Sequence, residues 1–186
     1  NGDYFLKQNI HNFIDYDYFG WLNNRPYIDA IIPCIKEMQS MLRAYDFSYV
    51  GEQDIFGKLL AQLANREHRL MLGQEFTPHW IANEMVNYNL EEIADEEPHI
   101  LDMCCGSGVF LIEAIKAVRK RYEISTDNYN NRKDNIIFSA VMGFDIDPLA
   151  VVLAKVNWVM AMRDLFKFHS GSITVPIYHA DSLFVA

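Results

Sequence analysis

The stretch LDMCCGSGVFLIEA at positions 101–114 joins a short apolar run, a glycine-containing loop and a second apolar run with helical spacing. The pattern predicts a strand over residues 99–104, a tight turn, and a helix over 108–121. Gly106 and Gly108 allow backbone conformations that residues with a Cβ rarely adopt, and they let a ligand approach the N–H groups at the helix start. We therefore expect this unit to form a cofactor site.

Asp102, directly before the loop, indicates which cofactor binds there. A carboxylate at this point would repel a pyrophosphate, whereas it would attract the sulfonium and ammonium charges of S-adenosylmethionine. The third glycine of the dinucleotide fingerprint GxGxxG is also missing, since no glycine follows Val109 and Phe110. The sequence therefore predicts a site for S-adenosylmethionine and not for NAD.

Composition and charge limit the class of protein. With 186 residues, 51% of them hydrophobic, the chain can bury one good core. No apolar run is long enough to span a bilayer and no secretion signal opens the sequence, so we expect a cytoplasmic protein with no membrane partner. The net charge of −9 is the opposite of what a self-sufficient nucleic-acid binder carries, so a basic groove for DNA would lie elsewhere.

The cysteines and histidines do not indicate a metal site. The three cysteines are Cys34 and the adjacent pair Cys104 and Cys105, a spacing that fits neither a disulfide framework nor a zinc site. His79 has no second candidate ligand at metal spacing. We expect reduced cysteines and no bound metal.

The hydrophobic pattern divides the chain into two parts. Residues 1–70 are interpreted as a helical N-terminal lead-in, with helices over 26–45 and 52–68, and Pro33 is expected to bend the first of them. From residue 71 helices and strands alternate, which is typical of a three-layer α/β domain with a mainly parallel sheet. In this second part, residues 71–186, we predict helices over 78–93, 108–121 and 148–166, strands over 99–104, 140–145 and 173–180, and a polar surface insertion over 122–135.

The stretch GFDIDP at 143–148 places an acid at the end of the second predicted strand. In a doubly wound sheet, Asp145 would accept hydrogen bonds from both ribose hydroxyls of the cofactor. Ile146 would then lie against one face of the adenine. Asp147 is interpreted as the N-cap of the next helix, with Pro148 at its first position.

A third predicted strand runs into an acid in YHADSLF at 178–184. Asp181 is interpreted as the acceptor of the exocyclic amino group of adenine, with Leu183 or Phe184 covering the ring. The alternative is an ordinary turn residue. Because ligands bind at the carboxyl ends of parallel strands in open α/β sheets, all three strand-end acids are expected to share one site.

The stretch LGQEFTPHWIANEMV at 72–86 precedes the glycine loop. Thr77 can cap the helix that Pro78 opens, so that a helix N-terminus with free N–H groups points out of the domain. Such an end would receive the carboxylate of the methionine moiety. The residues alone leave plain capping and cofactor binding open for Thr77.

These stretches together resemble the motifs of N6-adenine DNA methyltransferases from type I and type IIG restriction-modification systems. GQEFTPHWIANEMV resembles the family's GQxxTPxxIAxxMV, DMCCGSGVFLIEA resembles its loop DxxCGSGxFLxxA, and GFDIDPLAVVLAKVN and HADSL resemble its second and third motifs. The FTP motif precedes the glycine loop, as in the family's gamma arrangement. The resemblance covers residues 54–186 and implies an incomplete Rossmann-like fold of the class I S-adenosylmethionine-dependent methyltransferases.

The resemblance also implies site residues and partners. The residues that would line the cofactor pocket are Phe76, Thr77, Asp102, Cys104, Gly106, Gly108, Asp145, Ile146 and Asp181. In the full-length protein it implies methyl transfer to the adenine amino group of double-stranded DNA. A specificity or restriction subunit is a further implied partner.

The sequence departs from this family at the catalytic motif. Such enzymes carry Asn or Asp followed by Pro-Pro and an aromatic residue soon after the third motif, and this sequence has no Pro-Pro pair. Those residues hold the adenine amino group, a poor nucleophile, and stack on the flipped base. Since the sequence begins at Asn1 and stops at Ala186, we expect a segment of a longer protein that is inactive alone and has no catalytic residues of its own.

Two other functions stay open from the residues. An RNA or protein-glutamine methyltransferase would share the glycine loop and the strand-end acids, because these features depend on the cofactor and not on the substrate. The TP motif ahead of the loop favours the DNA enzyme. A non-catalytic assembly module of a restriction complex would use its helices to contact other subunits.

Overall fold

The structure, a computed structural model, describes residues 3–14, 20–45, 77–93 and 97–184. In chain order its elements are α1 (Asp3–Lys7), β1 (Ile10–His11), a 3-10 helix (Gly20–Asn23), α2 (Tyr27–Leu42), α3 (His79–Glu92), β2 (Ile100–Asp102), α4 (Val109–Arg121), α5 (Asn131–Ser139), β3 (Val141–Asp145), α6 (Pro148–Met162), β4 (Ile173–Thr174) and β5 (Ile177–His179). The predicted helix over 52–68, the predicted domain boundary at residue 70 and the candidate site residue Phe76 lie outside the described residues.

A parallel sheet with strand order β2–β3–β5 forms the centre of the α/β part. Asp102 at the end of β2 lies opposite Gly143, and Asp145 at the end of β3 lies opposite His179. Because these strand pairs are parallel, their carboxyl ends meet at one edge of the sheet. The predicted α/β class with a parallel sheet is confirmed.

Helices α4 and α6 cover one face of this sheet, and the hydrophobic core lies between these helices and the sheet. The buried side chains that they contribute include Leu111, Ile115 and Val118 from α4 and Val151, Ala154 and Trp158 from α6. Helix α6 contains the largely apolar run LAVVLAKVNWVMAM and is deeply packed. Side chains alternate along β3, so that Val141 is 2% exposed towards the helices while Met142 on the other face is 41% exposed.

The second helical layer of the predicted three-layer domain is not found among the described residues. Leu101 of β2 is 50% exposed on the same face as Met142. The described part of the chain therefore forms two layers, sheet and helices. The prediction of three layers came from the alternation of helices and strands, which does not specify which face of the sheet each helix covers.

The strand predicted over 173–180 is two strands with different partners. β4 pairs in parallel with β1 near the N-terminus, and β5 pairs with β3. Pro176 lies between them and has no N–H to donate, although its carbonyl accepts a hydrogen bond from Gly143 N at 2.9 Å. The change of partner at this proline explains why one predicted strand became two.

The stretch 122–135, predicted as a polar surface insertion, contains the start of a helix. The side chain of Asn130 accepts a hydrogen bond from Lys133 N at 3.0 Å and so caps α5. Ile136 and Ile137 on α5 are 3% and 0% exposed. The polar composition before these two residues concealed a helix that begins inside the predicted insertion.

The first residues of the chain are part of the α/β unit, which the prediction of a helical lead-in did not include. The Asn12 side chain donates to the carbonyl oxygens of Val175 at 2.6 Å and Ile177 at 3.0 Å. Lys155 Nζ of α6, 1% exposed, donates to Asn12 Oδ1 at 3.3 Å. These contacts join segments more than 140 residues apart, and sequence periodicity carries no signal for them.

Helix α2, Tyr27–Leu42, confirms one helix of the lead-in and lies within the predicted range 26–45. It includes Pro33, where the predicted bend stays a prediction, and none of its residues is buried. Helix α6 ends at Met162, four residues before the predicted end, and the chain turns there with Leu165 N donating to the Met162 carbonyl at 2.9 Å.

No helix in the described ranges has the length and apolar character needed to cross a bilayer.

Candidate cofactor site at the sheet edge

The loop after β2 crosses the end of β3, which extends two residues further than β2. Cys105 N donates to the Phe144 carbonyl at 2.9 Å, so the chain still follows β3 after β2 has ended. Gly106 N then donates to Asp145 Oδ2 at 2.7 Å. These two bonds place the glycine loop directly over the strand-end acid Asp145.

Both glycines of the loop have the backbone conformation that was expected of them. Gly106 has a φ of 54° and Gly108 a φ of 92°, values that residues with a Cβ rarely adopt. A Cβ on Gly108 would also lie 3.3 Å from the Cβ of Ala154 on α6. Gly108 is the N-cap of α4, so the loop leads straight into the helix N-terminus.

A buried amide that the sequence analysis did not consider holds the loop against α6. Asn157 Nδ2 donates to the Ser107 carbonyl at 2.8 Å, and the two residues are 2% and 3% exposed. The sequence signal was Asn157 itself, one of two polar residues with Lys155 in the otherwise apolar run LAVVLAKVNWVMAM. Since buried polar groups in apolar helices need partners, that asparagine could have been predicted to contact a loop.

The two carboxylate oxygens of Asp102 have different surroundings. Oδ1 accepts a hydrogen bond from Cys104 N at 3.1 Å. Oδ2 is fully enclosed and has no hydrogen-bond partner in the described part of the chain. Burial raises the pKa of Asp102, and the nearby Asp145 raises it further, against the lowering effect of the Cys104 hydrogen bond. A positively charged hydrogen-bond donor beside Asp102 would offset both the burial of its charge and the repulsion from Asp145.

Asp145 organises the loop through both of its oxygens. Oδ2 takes the Gly106 N–H, and Oδ1 accepts from Asp147 N at 2.8 Å. An ionised carboxylate has about four lone-pair positions, so two remain for other donors. The predicted role of Asp145, binding the ribose hydroxyls, stays a prediction that this geometry permits.

The residues after Asp145 start helix α6. Asp147 Oδ1 accepts from Leu149 N at 2.9 Å, and Pro148 is in the first turn, so the predicted N-cap is confirmed. Ile146 is 67% exposed, and its carbonyl lies 2.9 Å from His179 Nε2 of β5. Its predicted contact with adenine stays a prediction.

Asp181 lies next to the end of β3 but forms a turn. Ala180 N donates to the Asp145 carbonyl at 3.0 Å, which brings the third strand end to the same edge. Asp181 Oδ1 accepts from Leu183 N at 3.0 Å, as the alternative turn interpretation proposed. Leu183 and Phe184 are 86% and 82% exposed. Recognition of adenine by these residues stays a prediction.

The two cysteines of the loop differ in environment. Cys104 is exposed at the site, whereas Cys105 is buried beneath it, and both are free. Burial, together with the charges of Asp102 and Asp145, raises the pKa of the Cys105 thiol well above its usual range. Cys105 is therefore a packed, protonated core residue. Cys104 is the accessible one, and its predicted place in the lining of the cofactor pocket stays a prediction.

Thr77 is not the N-cap of the helix that follows it, contrary to prediction. The N-cap of α3 is Pro78, in an extended conformation with ψ of 141°, and no side chain of the described residues forms a capping hydrogen bond there. A proline side chain has no acceptor, so Pro78 cannot itself cap the helix. The helix start is attached to α4 instead, since His79 Nδ1 lies 3.0 Å from Glu113 Oε1.

The structure thus brings several predicted residues together. Hydrogen bonds connect Asp102 with Cys104 and Gly106 with Asp145, and Asp181 follows one residue after the last contact with β3. The sequence analysis gave no role to Glu113, although a charged residue amid the apolar positions of FLIEAIKAV was a visible anomaly.

Comparison with known proteins agrees with the motifs. A family model for N-6 DNA methylases matches residues 51–184. The chain is also 28% identical over 103 residues to the adenine-specific methyltransferase PglX of Streptomyces coelicolor, and this alignment covers 55% of the chain and 8% of that relative. The family match includes the glycine loop and all three strand-end acids, so the resemblance inferred from the motifs is confirmed. The chain belongs to the N-6 DNA methylase family.

Proposed function

We propose that this chain provides the S-adenosylmethionine-binding half of a DNA adenine-N6 methyltransferase of the restriction-modification type. The observation that carries the proposal is the Asp102 carboxylate beside the glycine loop, whose buried Oδ2 has no hydrogen-bond partner among the described residues. The family match supports the reaction class, and it disfavours an RNA or protein substrate.

The charges at the sheet edge fit this cofactor. Asp145 lies close enough to Asp102 to contribute to the raised pKa of the Asp102 carboxyl. Two neighbouring carboxylates would repel the phosphates of a dinucleotide, whereas the amino group of a methionine moiety carries a positive charge and hydrogen-bond donors for the Asp102 carboxylate. The sulfonium charge adds to this attraction. The site therefore selects a cationic adenosyl compound.

The remaining residues divide the cofactor between them. We assign the ribose hydroxyls to Asp145, one face of the adenine to Ile146, and the adenine amino group to Asp181. Gly106 and Gly108 would let the loop backbone approach the ligand closely. Thr77, just before α3, is assigned to the carboxylate of the methionine moiety, with Phe76 beside it. These positions correspond to a Rossmann-like class I methyltransferase fold, which we propose for the complete domain.

When bound, S-adenosylmethionine supplies an activated methyl group as the electrophile. The residues of this chain bind and orient it, and they shield the buried end of the site from water. The groups that would hold the adenine amino group are absent from the sequence, which has no Pro-Pro pair. We therefore propose that another part of the protein supplies the acceptor site and the basic surface for double-stranded DNA, since the net charge here is −9.

The test compares calorimetric titrations of S-adenosylhomocysteine into the protein and its Asp102→Asn variant. The variant should bind the ligand more weakly than the unaltered protein, but without ligand it should be the more stable of the two. The variant loses a charge-assisted hydrogen bond of about 1.5 to 3 kcal/mol, so its Kd should rise at least about tenfold.

Thermal stability of the ligand-free variant should rise. The folded-state pKa of Asp102 is raised above its ordinary value of 3.8, so its ionised form costs stability at every pH above that folded-state pKa. A neutral amide is cheaper to bury than a carboxylate. Unchanged ligand affinity in the variant, or no binding by the unaltered protein, would contradict the proposed function.

A further inference from the structure

Glu113, in the second turn of α4, is a buried carboxylate with three hydrogen-bond donors. It is 3% exposed. Its Oε1 lies 3.0 Å from His79 Nδ1 and 2.8 Å from Lys116 Nζ, and its Oε2 accepts from Asn83 Nδ2 at 3.0 Å. No position of the proposed cofactor site requires this residue to be charged, so the charge needs another explanation.

Two of the three donors belong to a different helix. His79 and Asn83 are four residues apart on α3 and therefore lie on the same face of that helix. Burial by itself raises the pKa of Glu113, but the hydrogen bonds from Lys116, Asn83 and His79 outweigh it and hold the pKa below its usual value. Glu113 is thus an anion at neutral pH, fastening the first turns of α3 to α4.

The other end of α3 has an independent attachment to the same helix. Arg121, the last residue of α4, donates to the carbonyl oxygens of Leu90 at 2.6 Å and Ile93 at 2.7 Å. The overall docking of α3 on α4 therefore does not depend on Glu113 alone. What Glu113 determines is the position of the start of α3.

The start of α3 and the glycine loop are both close to Glu113. Gly108 precedes it by five residues, about 8 Å along the axis of α4. Thr77 precedes His79 by two residues, within about 7 Å along the chain. The contact between His79 and Glu113 therefore links the helix that follows the loop to the segment assigned to the methionine carboxylate.

We propose that Glu113 is a positioning residue that sets the affinity for the amino-acid end of the cofactor by fixing the start of α3, with Thr77, relative to the glycine loop. The inference rests on the proposed function. It predicts that Glu113 influences the methionine moiety and not the adenosine moiety, which is bound at the ends of β3 and β5.

The informative variant is Glu113→Gln. A glutamine has the same shape, but its single amide oxygen cannot accept from three donors, and its NH2 group would meet the NH2 group of Asn83. The start of α3 loses its anchor while the fold keeps its packing. The matched control is Arg121→Gln, which removes the hydrogen bonds at the opposite end of the same helix pair.

The readout is the ratio of two dissociation constants, measured by calorimetry for S-adenosylhomocysteine and for methylthioadenosine, which lacks the amino-acid end. In Glu113→Gln we expect the Kd for S-adenosylhomocysteine to rise about tenfold, equivalent to about 1.4 kcal/mol, with methylthioadenosine affinity unchanged. Arg121→Gln should leave the ratio as it is. Adding Asn83→Asp to Glu113→Gln restores an acceptor for the glutamine NH2 and should recover the ratio.

Each outcome decides between the two proposals. If neither ligand binds the unaltered protein, the proposed function fails and the positioning role fails with it. If both bind but Glu113→Gln weakens them equally, or weakens neither, only the positioning role is overturned. Should Glu113→Gln not fold, His79→Ala provides the same comparison, because it removes one donor and leaves Lys116 paired with the carboxylate.

Discussion

Replacing Gly143 by alanine tests how tightly the glycine loop and α4 are packed on the sheet. Gly143 is in the middle of β3, and a Cβ there would lie 2.8 Å from Leu111 Cδ1 and 3.1 Å from Cys105 Sγ. Carbon atoms in ordinary contact are about 3.5 to 4 Å apart, so the new methyl group overlaps Leu111 by close to an ångström. Leu111 and Cys105 are 1% and 3% exposed, so neither can move towards solvent.

The cost follows from this overlap. Overpacking a core by one carbon typically costs about 1 to 3 kcal/mol. Alanine also loses less backbone entropy on folding than glycine, which stabilises a strand interior by about 0.5 to 1 kcal/mol. We therefore expect Gly143→Ala to lower the free energy of unfolding by about 1 to 2 kcal/mol, which lowers Tm by roughly 2 to 8 °C for a chain of this size.

The assay is urea and thermal unfolding followed by circular dichroism, carried out as a double-mutant cycle with Leu111→Val. Valine lacks the Cδ1 atom that meets the new methyl group. Gly143→Ala should therefore cost clearly less in the Leu111→Val background, with a coupling energy of about 1 kcal/mol between the sites. An additive cycle would refute the reasoning, because the cost of alanine would then not come from this contact.

Three further predictions concern the loop, a helix cap and pH. Gly108→Ala should cost about 1 to 3 kcal/mol, because its φ is 92° and the new Cβ meets Ala154, and calorimetry should show weakened binding of S-adenosylhomocysteine as well. Asp147→Ala removes the side-chain bond to Leu149 N and should lower unfolding free energy by about 1 kcal/mol while leaving ligand affinity unchanged, whereas a large loss of affinity would make Asp147 a ligand residue. The lowered pKa of Glu113 means that its contribution is fully present above its ordinary pKa of 4.5 and is lost as pH falls through the folded-state value. The stability difference between the protein and Glu113→Gln, followed by urea midpoints, should therefore be largest near neutral pH and vanish in acid.

Local features of the site were predictable from the sequence because they depend on residues a few positions apart. The positive φ of Gly106 and Gly108 follows from a turn that residues with a Cβ resist. The cap by Asp147 follows from an acid before a proline at a helix start. Even so, the same rules placed the cap of α3 on Thr77, when Pro78 occupies that position without any side-chain acceptor.

Contacts across the fold were not predictable in this way. The polar stretch 122–135 contains the start of α5, and that helix forms because later residues in it, Ile136 and Ile137, are buried. The strand predicted over 173–180 changes partner at Pro176, and the partner of its first half is Ile10–His11. No pattern within either segment specifies that pairing, because hydrophobic periodicity reports only which face of an element is buried.

The sequence by itself determined the strand, loop and helix at 101–114, the acids at the strand ends and the family to which they belong. Each of these depends on residues that are close in the sequence, and such residues act directly on the local backbone conformation. Only the tertiary structure decided that Asp102 has an enclosed oxygen with no partner in the described ranges, and that Glu113 joins α3 to α4. Those properties arise when burial removes water from a charged group, and burial is produced by the packing of segments that are distant in the sequence.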